Sequence, residues 1–217
     1  MADAAPDAAG AKVSLPLQKQ TCEVRWIRPG RVGGEVSEWF SQFSQVLETR
    51  EDDYLVAPRL PGLSVKIRGG ASFDVKQHRG AAGALDLGGG SVRIDSWFKL
   101  SFPLADVVQA AHPLERSAWQ RVLKRRRIAS FPIGDAHGEA GAPESAVCSV
   151  ELTQVEALGR EWWTLAFEAD GPEAFEGIRR TAATVTAQPL PAELEFGPGR
   201  ARSDSAWVHE LDGPTVP

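Results

Sequence analysis

The sequence predicts an α+β fold: an antiparallel β-barrel of about eight strands, a tunnel with a polar interior and with helices packed outside. Three observations lead there. Short segments alternate polar and apolar residues with a period of two, as strands do when one face meets a core and the other polar surroundings. The segments contain no continuous apolar runs, which excludes a buried parallel sheet. Several of them gather Lys and Arg on one face, as Ser64-Val65-Lys66-Ile67-Arg68 does. Two like charges about 4 Å apart repel by about 4 kcal/mol at an effective dielectric of about 20, so such a face needs an anion or water. An open sheet with its polar face in water is the other architecture these segments allow; closing the sheet removes its exposed edges, which favours the barrel.

A chain of 217 residues can bury a real core as one domain. Its 42% hydrophobic and 24% charged residues are those of a globular protein. The net charge of −5 speaks against general nucleic-acid binding, which favours basic domains. No stretch approaches the ~20 apolar residues of a membrane span. Met1 to Gly10 has neither the basic start nor the apolar run of a signal peptide. The cytoplasm is therefore the expected compartment, with no nucleic-acid or membrane partner. Cys22 and Cys148 make no disulfide framework and read as small core residues.

Residues 1–20 read as a flexible leader, 21–211 as a single barrel domain and 212–217 as a tail. Thr21 to Ile27 is the first strand, ended by Arg28-Pro29-Gly30. After Gly33-Gly34, Val36, Trp39, Phe40, Phe43, Val46 and Leu47 form the apolar stripe of a helix. A strand follows from Glu48 to Val56. Leu63 to Gln77 is a hairpin turning at Gly69-Gly70. Gly80 to Gly90 reads as a loop or a weak edge strand. Its Gly88-Gly89-Gly90 lacks the Lys-Ser/Thr pair and helix of a phosphate loop. Ser91 to Phe102 is a strand, Leu104 to Ala111 a short helix and Trp119 to Phe131 a long strand. A Gly/Ala/Pro loop spans Gly134 to Ser145. Ala146–Val155 and Glu161–Glu168 pair across Leu158-Gly159. A helix starts near Asp170-Gly171-Pro172, buries Phe175, Ile178, Ala182 and Val185, and ends before Pro189. Ala206 to Leu211 is the last element.

The pattern of these segments resembles the CYTH family, the triphosphate tunnel proteins, over about Thr21 to Leu211. Ser64–Arg68 followed by Phe73–Lys76 is similar to that family's basic-x-basic hairpin. Val122-Leu123-Lys124-Arg125-Arg126 is similar to its later Lys-x-Arg strand, and Leu158-Gly159 leading to Phe167-Glu168 to its Leu-Gly and acidic strand. Ser205-Ala206-Trp207-Val208 resembles its C-terminal Ser-Tyr segment. The first strand departs from the family's Glu-x-Glu-x-Lys. Cys22-Glu23-Val24-Arg25-Trp26-Ile27 lacks one of the two acids in either alignment.

The resemblance implies a barrel that binds an anionic phosphate-containing small molecule, a polyphosphate or a nucleoside triphosphate. Lys66, Arg68, Lys76, Lys99, Lys124 and Arg126 are its expected phosphate clamps, because Arg offers paired donors and Lys a compact charge. Glu23, Glu151 and Glu168 are the expected ligands of Mg²⁺ or Mn²⁺, which need hard oxygen donors. A metal-dependent phosphohydrolase of weak or altered activity is one implied function. A non-catalytic barrel that binds a ligand or a protein is the other. In β-register, Lys124 and Arg126 point one way with Val122, and Arg121, Arg125 and Arg127 the other; the residues leave open which set faces inward, and the resemblance selects the first, with the second on solvent. His78, His112, His137 and His209 show no ligand spacing. Asp52-Asp53 and Asp204 read as solvated residues of turns or exposed positions.

Overall fold

The computed structural model describes residues 15–57, 59–87, 90–110, 118–133 and 146–211. Eight strands occur in chain order: β1 (Leu17–Pro29), β2 (Gln45–Leu55), β3 (Leu63–Arg68), β4 (Ser72–Asp86), β5 (Ser91–Pro103), β6 (Trp119–Pro132), β7 (Val147–Ala157) and β8 (Arg160–Asp170). Among the described residues four α-helices accompany them, α1 (Gly34–Ser41), α2 (Leu104–Ala110), α3 (Ala174–Thr186) and α4 (Asp204–Leu211), with a short 3-10 turn at Pro198–Arg200. The strands form one closed barrel in the order β1-β5-β4-β3-β2-β6-β7-β8, and every pair is antiparallel.

Period-two alternation sorts side chains to the two surfaces of this barrel. Val24 and Trp26 of β1, Val150 and Leu152 of β7, and Leu165 and Phe167 of β8 face outward into the main apolar core. Helix α1 covers it with Val36, Trp39 and Phe40, and α3 with Ile178, Ala182 and Val185. A second apolar cluster lies at one end of the interior. There Ile27, Tyr54, Val122, Val155 and Trp162 meet Trp207 and Val208 of α4, so that helix closes the end.

Between β1 and β5 the ladder stops at Glu23 opposite Asp95. Beyond it, residues 198–203 take the place of β5. Trp26 bridges Ala201, and the Arg202 N–H donates to the Arg25 carbonyl at 2.8 Å.

Several elements differ from the sequence expectation. β1 starts at Leu17, ahead of Thr21, because Leu17 to Glu23 pair with β5. Helix α1 stops at Ser41, and Val46 and Leu47 lie in β2, largely exposed, instead of extending its stripe. The Gly/Ala stretch from Gly80 continues β4 to Asp86 inside a closed sheet, with register shifts between His78 and Gly80 and between Ala81 and Gly83. Small residues are needed there: a Cβ on Gly83 would lie 2.4 Å from the Phe175 ring of α3. The readings for residues 1–14, Pro58, Gly88-Gly89, His112, Pro113, His137, Gly134 to Ser145 and the tail from 212 fall outside the described residues. Cys22 and Cys148 are free thiols, and burial pushes Cys148 up to about 11.

Leu158 is the non-glycine residue with positive φ, +50°, in the turn with Gly159 at +67°. A two-residue hairpin with both φ positive favours Asn-Gly, and a left-handed L-residue costs about 1–2 kcal/mol. Leu158→Asn is therefore expected to raise unfolding stability by about 1 kcal/mol, measured by urea denaturation with an unchanged slope. A lower midpoint would contradict the turn geometry.

Candidate functional site

The inward faces of all eight strands enclose a polar cavity of ≈ 100 Å³. β1 supplies Glu23 and Arg25, β2 Arg50 and Tyr54, β3 Lys66 and Arg68, β4 Asp74 and Lys76, and β5 Trp97 and Lys99. Lys124 and Arg126 come from β6, Glu151 and Thr153 from β7, and Glu168 from β8. Ser203, Asp204 and Ser205 enter from the start of α4. All nine residues expected from the sequence thus line one cavity. Arg121 and Arg125 lie outside and exposed, and Arg127 binds Ser37 and Ser41 of α1.

The cations do not repel one another across an empty space, because carboxylates from neighbouring strands separate them. Lys76 Nζ lies 2.6 Å from Glu23 Oε2 and 3.0 Å from Glu168 Oε1. Lys99 pairs with Asp74 at 3.1 Å, and Lys66 with Asp52 at 3.3 Å. Arg50 reaches Asp52 at 2.9 Å and Glu48 at 3.0 Å. Arg126 joins Glu48 to Glu151. Arg25 lies 3.2 Å from Asp204 and 3.9 Å from Glu151. Asp204 also accepts from Lys124 at 2.6 Å and from the Tyr54 hydroxyl at 3.0 Å. Among the described residues, Arg68 is the one lysine or arginine of the lining with no ion pair or side-chain hydrogen bond. It lies on β3 beyond Lys66, on the side away from α4, next to the Gly69-Gly70 turn.

Burial and pairing reset the acidities. Burial pushes Lys124 down to about 8, against the pull of Asp204. Burial also lowers Lys99, with Asp74 opposing. Burial opposes ionisation of Glu168, but Lys76 and then Arg25 hold it down to about 2. Asp204 sits well below the usual carboxylate range despite its burial, because Arg25, Lys124 and Lys66 surround it. Asp52, Asp74 and Glu48 are lowered in the same way by their cations.

Asp52 and Asp204 correct the solvated reading. Asp52 is fully buried and faces inward, while its neighbour Asp53 faces out toward Arg121. Asp204 opens α4 and projects into the barrel because Trp207 and Val208 anchor that helix in the apolar end. Sequence reasoning also passed over Arg25, Glu48, Arg50, Tyr54 and Asp74 as site residues. The signal for β2 was its even-numbered series Glu48, Arg50, Asp52 and Tyr54. It was hidden because Thr49, Glu51 and Asp53 make the other face polar too.

The acids do not assemble into a metal-ligand set. No group of three or more His, Cys, Asp or Glu that could hold a metal ion occurs among the described residues. The position between Glu23 and Glu168 belongs to the Lys76 ammonium.

No family model matches the chain, and no curated protein matches it. Among solved structures it is similar to "a putative adenylate cyclase" from Bacillus halodurans, at 15% identity over 81% of this chain and 96% of that one, with a TM-score of 0.33. The fold assignment rests on the barrel's own strand order and closure.

Five interior carboxylates have lowered pKa values, so the folded state binds fewer protons than the unfolded chain at acid pH. Their stabilising contribution is present above the ordinary carboxylate range and is lost as pH falls through the folded values. The denaturant midpoint is expected to drop steadily from about pH 4.5 toward pH 2. A midpoint independent of pH over that window would refute the ion-pair lattice.

Proposed function

We propose that the barrel interior binds a phosphate-type anion, of the polyphosphate or nucleoside triphosphate class, from the end that carries Arg68. The observation that carries this reading is the unpaired Arg68 guanidinium beside a lining of Lys66, Lys99, Lys124 and Arg126. A guanidinium presents paired donors that match phosphate oxygens. The lysines behind it each carry three donors, so an ammonium that already holds a carboxylate can also donate to a phosphate oxygen. The likeness of Ser64–Lys76 and Val122–Arg126 to the triphosphate tunnel pattern supports the same ligand class.

The site favours binding over turnover. Every interior carboxylate among the described residues is engaged by a lysine or arginine. None is left to orient a water or take its proton, as a general base must. A binding module is therefore the preferred reading, with hydrolysis of a triphosphate as the second.

Calorimetry and thermal shift with tripolyphosphate test this directly. Arg68→Ala is expected to weaken binding by about tenfold or more, the worth of one charge-assisted hydrogen bond. Its melting temperature should change little, because Arg68 makes no ion pair or side-chain hydrogen bond that the substitution would break. No binding heat and no thermal shift in the unaltered protein would end the proposal.

The affinity is also expected to fall as pH rises through about 8, where Lys124 loses its charge. Lys124→Met should flatten that part of the profile. An affinity constant from pH 7 to pH 9 would remove Lys124 from the binding set.

A further inference from the structure

We propose that Lys76 is a built-in cation standing where a divalent metal would otherwise bridge Glu23 and Glu168, so that the tunnel takes its anion without Mg²⁺ or Mn²⁺. Glu23 and Glu168 are directly opposite each other in the β1–β8 register. Two carboxylates so placed, completed by phosphate oxygens, are the ordinary way a protein holds Mg²⁺. Here Lys76 reaches in from β4 and its ammonium contacts both, lying also over the Trp97 ring at 6.0 Å from its centroid. Arg25 follows Glu23 on the same face of β1 and its charge acts on both acids. The Lys76 ammonium thus already bridges the two carboxylates, and Arg25, held by Asp204 and Glu151, adds its charge from nearby. A metal ion would have to displace the ammonium, and the nearby acids offer it no free carboxylate. Asp74 holds Lys99, and Glu151 holds Arg126. Arg25 in β1 and Lys76 in β4 form one charge design, which explains why the altered first strand does not leave a gap in the lining.

The inference rests on the anion-binding reading only for its second readout. The first readout is Mn²⁺ titrated alone into the full chain, followed by calorimetry and electron paramagnetic resonance. The unaltered protein is expected to take up no Mn²⁺. Lys76→Gln, which removes the charge and shortens the side chain by one atom, is expected to gain a Mn²⁺ site that Glu168→Gln in the same background abolishes. Mn²⁺ uptake by the unaltered protein that Glu168→Gln removes would overturn the proposal. So would a folded Lys76→Gln protein that takes up none. If Lys76→Gln does not fold, the unaltered protein and Glu168→Gln decide the matter by themselves.

The second readout is tripolyphosphate binding in metal-stripped buffer. Binding at least as tight there as with Mn²⁺ supports the proposal, and binding that appears only with Mn²⁺ overturns it. If tripolyphosphate binds under neither condition, the anion-binding reading falls and the Mn²⁺ titration alone judges the role of Lys76.

Discussion

Compensation of charge inside a closed sheet is the constraint on which the rest of this structure depends. Each interior lysine or arginine is expensive to bury alone, since removing one partner of a buried pair costs about 3–5 kcal/mol. The barrel solves this across strands. Lys66 stands in register opposite Asp74 and next to Asp52, Arg126 stands opposite Glu48, and Lys76 reaches the Glu23–Glu168 pair from β4, one strand beyond β5. The pairs add little net stability over a well-packed apolar interior. What they do is fix side-chain positions and fill the lumen, leaving a cavity of only ≈ 100 Å³.

Stability comes from elsewhere. The outer faces of β1, β7 and β8 form a continuous apolar surface that α1 and α3 bury, with Phe40, Ile178 and Val185 wholly inaccessible. The inner end holds a separate apolar cluster around Tyr54 and Trp207. Tyr54 belongs to both worlds. Its ring packs in that cluster, and its hydroxyl joins Lys124 to Asp204. The polar lumen is thus floored by packed aromatic groups, which keep water away from the deepest ion pairs and lower the pKa of Lys124.

Much of this was legible in the chain because alternation is a two-valued code. Val65 and Ile67 against Lys66 and Arg68 told which side of β3 was which, and Val122 set Lys124 and Arg126 apart from Arg125 and Arg127. The same code fails where both faces are polar or both are small. Asp52 and Asp53 are chemically alike, and only pairing with β3 and β6 sends one inward and the other to solvent. Gly80 to Asp86 lacks the branched residues that mark strands, yet the ladder to β5 holds it extended and α3 needs its small side chains. Val46 and Leu47 fit a helical stripe by spacing, but α1 has ended before them. Asp204 could not be placed from local pattern, because a distant helix seat decides where it points.

The wall between β1 and β5 is completed by residues 198–203 and not by either strand. This gives the molecule an order of assembly. A nascent chain can zip its hairpins as they leave the ribosome, but Arg25 and Lys124 have no Asp204 to meet until the segment after α3 has been made. Until then the lumen holds unmatched positive charge and the sheet has a slit along β1. The Arg25–Asp204 and Lys124–Asp204 pairs are long-range contacts, of the kind that close slowly in folding, and the segment after α3 acts as the fastener of the wall.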